Sequence, residues 1–188
     1  MAMQNRFLES DIPYGKLAKL GISKEKTLSM PKDLLETFLS GKVTPLIQTH
    51  IKSQSGTLYE VPLKLQLIQD RAGNIKLMTY PVRKDIVSDI ALNNDEKDRL
   101  RQGEILRKEI KEDGVRRMQF IQLDYETKSL IKRNVSNLRL PEQIAQMEKI
   151  NDIQLGMNQK EAIKEGKPIE LEVGHEKVSV GVDLKEPQ

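Results

Sequence analysis

The spacing of apolar and polar positions along this chain changes several times, and each change marks an element. The opening is helical in short pieces. Ile12-Pro13 starts one with Leu17 and Leu20 on a common face, Gly21 stops it, and Ser23 caps another turn. A third helix is predicted from about Pro31 to Ser40, because proline suits the first helical position. From Thr44 to Tyr80 the period falls to two. Leu63, Leu65 and Leu67 alternate with Lys64 and Gln66, flanked by residues 46–51 and 75–80, and residues 53–56 and 70–74 read as hairpin turns. This predicts a three-stranded meander with one apolar face resting on the N-terminal helices.

After a connector over residues 81–92, a short helix is predicted over about 95–102. Strands follow over 105–110 and 116–123, joined by the turn signal Lys111-Glu112-Asp113-Gly114. Pro141 opens a helix to about residue 150, with Ile144, Met147 and Ile150 at helical spacing. The last hairpin is the most regular. Ile169, Leu171 and Val173 alternate with Glu170 and Glu172, Gly174-His175-Glu176 turns, and Val178, Val180, Val182 and Leu184 alternate with polar or small residues. Such patterning predicts a sheet with one buried and one wet face.

Laid over one another, these stretches show a unit that recurs at spacings of 62 and 63 residues. Each copy is a short polar helix, a glycine (Gly41, Gly103, Gly166), a charged residue and a strand. Three residues before each glycine lies an apolar anchor, Phe38, Leu100 or Ile163. Five before lies an acid, Glu36, Asp98 or Glu161, and eight before lies a capping type, Asp33, Asp95 or Asn158. The acids are expected to serve the helix start, and the glycines to close each helix in the left-handed conformation. A two-turn helix is unstable alone and has to pack its anchor on the strands that follow.

Composition narrows the function classes. Of 188 residues, 31% are charged and 4% aromatic, with no tryptophan, so the core is built from Leu, Ile, Val and Met. Cysteine is absent, which excludes disulfides, thiolate metal sites and a cysteine nucleophile, and suits a reducing cytoplasm. The first ten residues lack the apolar core of a signal peptide, and no run approaches the roughly 20 residues needed to cross a bilayer. The net charge of +3 is unevenly placed: residues 99–139 carry 11 basic and 6 acidic side chains, whereas residues 140–188 carry 6 and 10. The basic middle makes Arg99, Arg101, Arg107, Lys108, Arg116, Arg117, Lys132 and Arg133 candidate nucleic-acid contacts. Phe120 and Tyr125 could supply stacking surfaces there, with acids interleaved throughout.

Catalytic signatures are missing. His50 falls in a predicted strand and His175 in a hairpin turn, 125 residues apart and without a ligand pattern. Ser40-Gly41-Lys42-Val43-Thr44 lacks the upstream glycine of a phosphate loop and follows a helix instead of opening one. No catalytic residue, metal site or cofactor is assigned.

Phe7-Leu8-Glu9-Ser10-Asp11-Ile12-Pro13, Leu17-Ala18-Lys19-Leu20-Gly21-Ile22-Ser23 and Leu39-Ser40-Gly41-Lys42-Val43-Thr44-Pro45-Leu46 resemble the opening of a domain of unknown function, family 4099, found in conjugative-transposon proteins of the Bacteroides group. Tyr14 stands where many relatives are expected to have tryptophan. Residues 94–105, and above all Leu155-Gly156-Met157-Asn158 through Glu165-Gly166-Lys167-Pro168-Ile169, resemble a second such domain, family 3945. The resemblance implies a mobile-element setting close to DNA handling. It carries no catalytic residues.

The expectation is therefore an α+β protein of repeated units, each a short helix followed by an antiparallel hairpin or meander. The segments are 1–82, 93–133 and 141–188, the last read as truncated from a longer protein. The expected role is non-catalytic binding or scaffolding in the cytoplasm, through a protein partner of the conjugation or mobilisation machinery, with neither membrane nor small-molecule substrate. The alternative is accessory DNA binding through residues 99–139.

Overall fold

The computed structural model describes residues 6–70, 72–138, 144–145 and 153–186. Its fold is α+β. Each of the three expected segments contains one antiparallel sheet, and the residues group into two compact units.

Unit 1 comprises Met1–Val87 together with Asp124–Ser129 and Lys185–Gln188. Three helices, α1 (Tyr14–Lys19), α2 (Lys24–Leu28) and α3 (Lys32–Leu39), precede the meander β1 (Ile47–Lys52), β2 (Leu58–Gln69) and β3 (Ile75–Pro81). Ser23 caps α2 by accepting from the Lys26 N–H at 3.2 Å. The core is a helical layer of Phe7, Ile12, Leu17, Ile22, Phe38 and Leu39 against Leu63, Leu65 and Leu67 of β2, as the alternation predicted. The opposite face of β2 departs from expectation. Lys64 and Gln66 read as wet positions, yet both are buried.

Unit 2 comprises Ser88–Leu123 and Leu130–Leu184. It contains α4 (Asn94–Arg101), the sheet β4 (Leu106–Glu112), β5 (Val115–Leu123) and β6 (Leu130–Asn134), then α5 (Met157–Lys164) and the hairpin β7 (Ile169–Val173) and β8 (Glu176–Val180). Asp113 and Gly114 both have positive φ, the geometry of a two-residue turn whose twist matches its strands. Strand β6 was not foreseen, because Leu130-Ile131-Lys132-Arg133 is short and has no clean alternation. The last strand is shorter than expected. It stops at Val180, and beyond it the Leu184 N–H bonds the Gln122 side-chain oxygen at 2.7 Å. Of the helix expected over 141–150, only residues 144–145 are described, and they are helical.

The recurrent glycines perform the same backbone task three times. Gly41, Gly103 and Gly166 have φ of 83°, 92° and 83°. Each donates to the carbonyl three residues back, and the following residue donates five back: Lys42 to Thr37 at 3.3 Å, Glu104 to Arg99 at 3.0 Å, Lys167 to Ala162 at 2.9 Å. This double bond pattern closes a helix and turns the chain toward its strand. The anchors Phe38, Leu100 and Ile163 are all buried.

The start of the repeat differs from its sequence reading. The residues that flank the helices are Pro31, Asn93 and Gly156, two positions before Asp33, Asp95 and Asn158. On α4 the Asn93 side chain accepts from the Glu96 N–H at 2.8 Å, and Glu96 accepts from the Asn93 N–H at 2.9 Å. Glu36, Asp98 and Glu161 lie too far along the helix to cap it, and pair instead with Lys32, Arg101 and Lys164.

Candidate interaction surface

Seven of the eight basic candidates in unit 2 are already engaged. Arg99 Nε lies 2.7 Å from Glu104, Arg101 2.8 Å from Asp98, Arg107 3.1 Å from Glu165, and Arg116 3.2 Å from Glu109. Lys108 Nζ sits between the two Glu96 oxygens at 2.6 and 2.7 Å and donates to the Ala91 carbonyl. Burial would raise the Glu96 pKa, but the bonds from Lys108 and the Asn93 N–H prevail and hold it below its ordinary value. Lys132 is 2.6 Å from Asp89, and Arg133 is buried with its guanidinium donating to the Lys132 carbonyl. Arg117 is exposed, with no carboxylate partner among the described residues.

Register separates these cations further. Arg107, Arg116 and Arg133 lie on one face of the sheet with Phe120, whereas Lys108, Arg117 and Lys132 lie on the other with Ile121. Arg99 and Arg101 belong to α4. Phe120 is fully buried and packs so closely on Gly166 that a Cβ there would be 2.9 Å from its ring. It is a core side chain and offers no stacking platform.

Unit 1 holds a cluster that the sequence reading missed. Lys64 Nζ lies 3.2 and 3.0 Å from the Asp124 oxygens and 2.8 Å from Glu126, and Lys185 Nζ lies 3.3 Å from Asp124. Asp124 is 0% exposed and also accepts from the N–H and hydroxyl of Thr127, each at 2.9 Å. Burial pushes this carboxyl up, but Thr127 and Lys64 outweigh it and hold the pKa at about 2. For Lys64, burial pulls the ammonium down, and Glu126 and Asp124 overcome that to leave it raised. Beside the cluster the Tyr80 hydroxyl donates to Gln66, whose amide donates to the Gly41 carbonyl at 2.9 Å. These groups explain how a lysine and a glutamine are buried on β2. The Asp124 carboxylate that holds Lys64 lies 60 residues away in sequence, and Gln66 adds to its nearer partners a bond to the Lys185 carbonyl, 119 residues away, at 3.4 Å, beyond the reach of local patterning. Nothing in the local sequence marks the site, because Lys64 occupies a regular polar position in the alternation of β2.

Residues 7–90 match a family described as Protein of unknown function (DUF4099). The DUF4099 stretch covers α1–α3 and β1–β3, but excludes Asp124, Glu126, Thr127 and Lys185, which complete unit 1. No curated protein and no solved structure matches the chain.

Two exposed apolar side chains of the DUF4099 stretch are neighbours at the turn end of the β1–β2 hairpin, while Leu8, Leu28, Leu46, Val82 and Val87 are exposed elsewhere. Tyr59 is 54% and Leu58 62% exposed, and Tyr59 pairs with half-buried Ile51 on the face that nearer the turn of the helices carries Leu63. Strand β1 is an edge strand. His50 is exposed and 3.3 Å from Glu60, and His175 is exposed in its turn. No three His, Asp or Glu side chains converge as a metal site among the described residues, and none of their helices is long and apolar enough to cross a membrane. A cleft of about 160 Å³ in unit 2 is lined by Gly103, Gly166, Gln122 and Asp183. The Gln122 amide is engaged at both ends, by the Leu184 N–H at 2.7 Å and by Asp183 at 3.1 Å.

Proposed function

We propose that this protein is a non-catalytic binding or scaffolding module of a conjugative mobile element, acting through protein–protein contacts. The observation that carries this reading is the bare β1–β2 hairpin, where Leu58 and Tyr59 stand exposed beside an edge strand. An edge with adjacent apolar side chains is suited to receive an extended segment of another protein. The basic residues argue the same way from the opposite side, since nearly all of them are offset by an acid before any polyanion arrives. The mobile-element setting rests on the resemblance of residues 7–46 and 155–169 to domains carried by conjugative transposons. A cytoplasmic location follows from that setting.

Accessory nucleic-acid binding keeps one supporting feature, the exposed Lys111, Arg116 and Arg117 around the β4–β5 turn. Titration of labelled single- and double-stranded DNA at low and moderate salt separates the readings. The expected result is no affinity beyond the non-specific range of roughly 10⁻⁴ M. Micromolar, salt-sensitive binding that disappears in Arg116→Glu/Arg117→Glu would replace the proposal with the nucleic-acid reading. In the complementary experiment, capture of proteins from the same element is expected to be lost in Tyr59→Lys. Capture that is indifferent to that substitution would remove the hairpin from the proposal.

A further inference from the structure

Strand β4 forms one edge of the unit 2 sheet, and its charges follow an unusual order. The two-residue turn at Asp113-Gly114 makes Glu112 and Val115 a bonded pair. By alternation Lys108 and Ile110 also bond toward β5, so Arg107, Glu109 and Lys111 aim their N–H and carbonyl groups away from the sheet. Among the described residues nothing bonds those outward groups. Charged side chains on an edge ordinarily keep another strand away. Here Arg107-Lys108-Glu109-Ile110-Lys111-Glu112-Asp113 places two cations and an acid before Ile110, and a cation and two acids after it. Reversed end to end, the segment meets itself with every sign opposed: Arg107 with Asp113, Lys108 with Glu112, and Glu109 with Lys111.

We propose that β4 is a self-association edge, at which a second copy of the chain adds its own β4 antiparallel to the first, centred on Ile110. At a two-fold centre a residue meets its own copy, and Ile110 is the one uncharged residue of this segment. Glu109 then lies opposite Lys111 of the partner copy and the reverse. This satisfies the outward N–H and carbonyl of both residues on each copy with four backbone bonds. The side chains at these two positions are also the ones at liberty to pair. Glu109 is half exposed beside Arg116, and Lys111 is exposed with no carboxylate partner among the described residues. Lys108 and Glu112 keep Glu96 and Gln119 as their partners, so Glu109 and Lys111 carry the recognition. Slipped registers lose it. Centring on Glu109 sets that acid against itself and Arg107 against Lys111, and centring on Lys108 or Lys111 sets a lysine against itself. The occupant is a second copy because the sign pattern complements its own reversal. The contact is small and the dimer weak, with a Kd on the order of 100 µM.

Sedimentation velocity across a concentration series tests this, with far-UV circular dichroism as a check on folding. The wild-type chain is expected to move from monomer to dimer, and less readily at high salt, because the opposed side chains are ions. Glu109→Lys sets lysine against lysine at both symmetric positions, and Lys111→Glu sets acid against acid. Each is expected to weaken self-association roughly 30-fold. Mixed, the two variants oppose lysine to glutamate at both positions and are expected to dimerise again, a rescue that misfolding would not produce. The exchange variant Glu109→Lys/Lys111→Glu is expected to associate alone. A wild-type chain that is monomeric at millimolar concentration overturns the proposal. So does a dimer that survives either single reversal, and so does a mixture of the two single variants that stays monomeric.

Discussion

Gly15 and Gly21 sit at opposite ends of α1 and should respond to an added methyl in opposite directions. Gly15 has ordinary φ and open space around the position a Cβ would take. Gly15→Ala is expected to stabilise by about 0.5–1 kcal/mol through helix propensity. Gly21 has φ of 76°, and a Cβ there would run into the His50 carbonyl oxygen of β1. Gly21→Ala is expected to cost about 2–4 kcal/mol, because an unfavourable φ and a backbone clash add together. Urea midpoints of the two variants, one raised and one lowered, check both. The sequence shows why Gly21 ends a helix. It does not show that the same glycine lets the helix end lie against a strand nearly thirty residues away, which is where most of the expected cost originates.

Among elements, α4 and the β2 cluster each carry a prediction. Asn93→Ala should cost about 1 kcal/mol, whereas Asp95→Ala, which removes a first-turn acid with no capping bond, should fall within roughly 0.5 kcal/mol. Equal losses from thermal melts would contradict the cap assignment. For the cluster, the Asp124 pKa is lowered to about 2 from 3.8. Its contribution is therefore full above the unfolded value and is lost as pH falls toward about 2, an acid-limb loss of roughly 2 kcal/mol. Lys64 is shifted the other way, so its share is full at neutral pH and fades only as pH rises past the ordinary ammonium range. Stability measured from pH 7 to pH 2 should show the acid limb, and Asp124→Asn should flatten it. Much of the element level was legible beforehand. The three glycines and their anchors could be read because helix closure is a local event within six residues. The caps were misplaced by two positions because Asp33, Asp95 and Asn158 are also good first-turn residues. Lys64 and Gln66 read as wet positions because a buried polar face depends on partners outside the strand, and β6 escapes notice because its burial alternates while its two apolar and three polar residues do not. The basic candidates were visible as residues, but not their pairing or their division between two faces.

For the whole molecule, the mismatch between the DUF4099 stretch and unit 1 has a measurable effect. A fragment of residues 1–90 retains Lys64 but lacks Asp124, Glu126 and Lys185. Lys64→Met should destabilise the full chain by about 3 kcal/mol, since it leaves Asp124 buried without its main cation. In the fragment the same substitution removes an uncompensated buried charge and should raise the urea midpoint. Loss of stability in both proteins would show that the lysine is not held by those carboxylates.

Lys185 also sets a timetable. Its carbonyl accepts from the Val43 N–H at 2.8 Å and its ammonium reaches Asp124, so a contact spanning more than 140 residues closes unit 1. During synthesis the three helices and the meander leave the ribosome long before that closure is available. Until residues 124–126 have emerged, β2 presents a charged lysine without its carboxylates on the face destined for burial, and the nascent unit remains open there. Contacts of such sequence separation form late, because the chain has to surrender the freedom of the whole intervening loop first. The order of translation thus decides that the earliest part of the protein to be made is among the last to be finished.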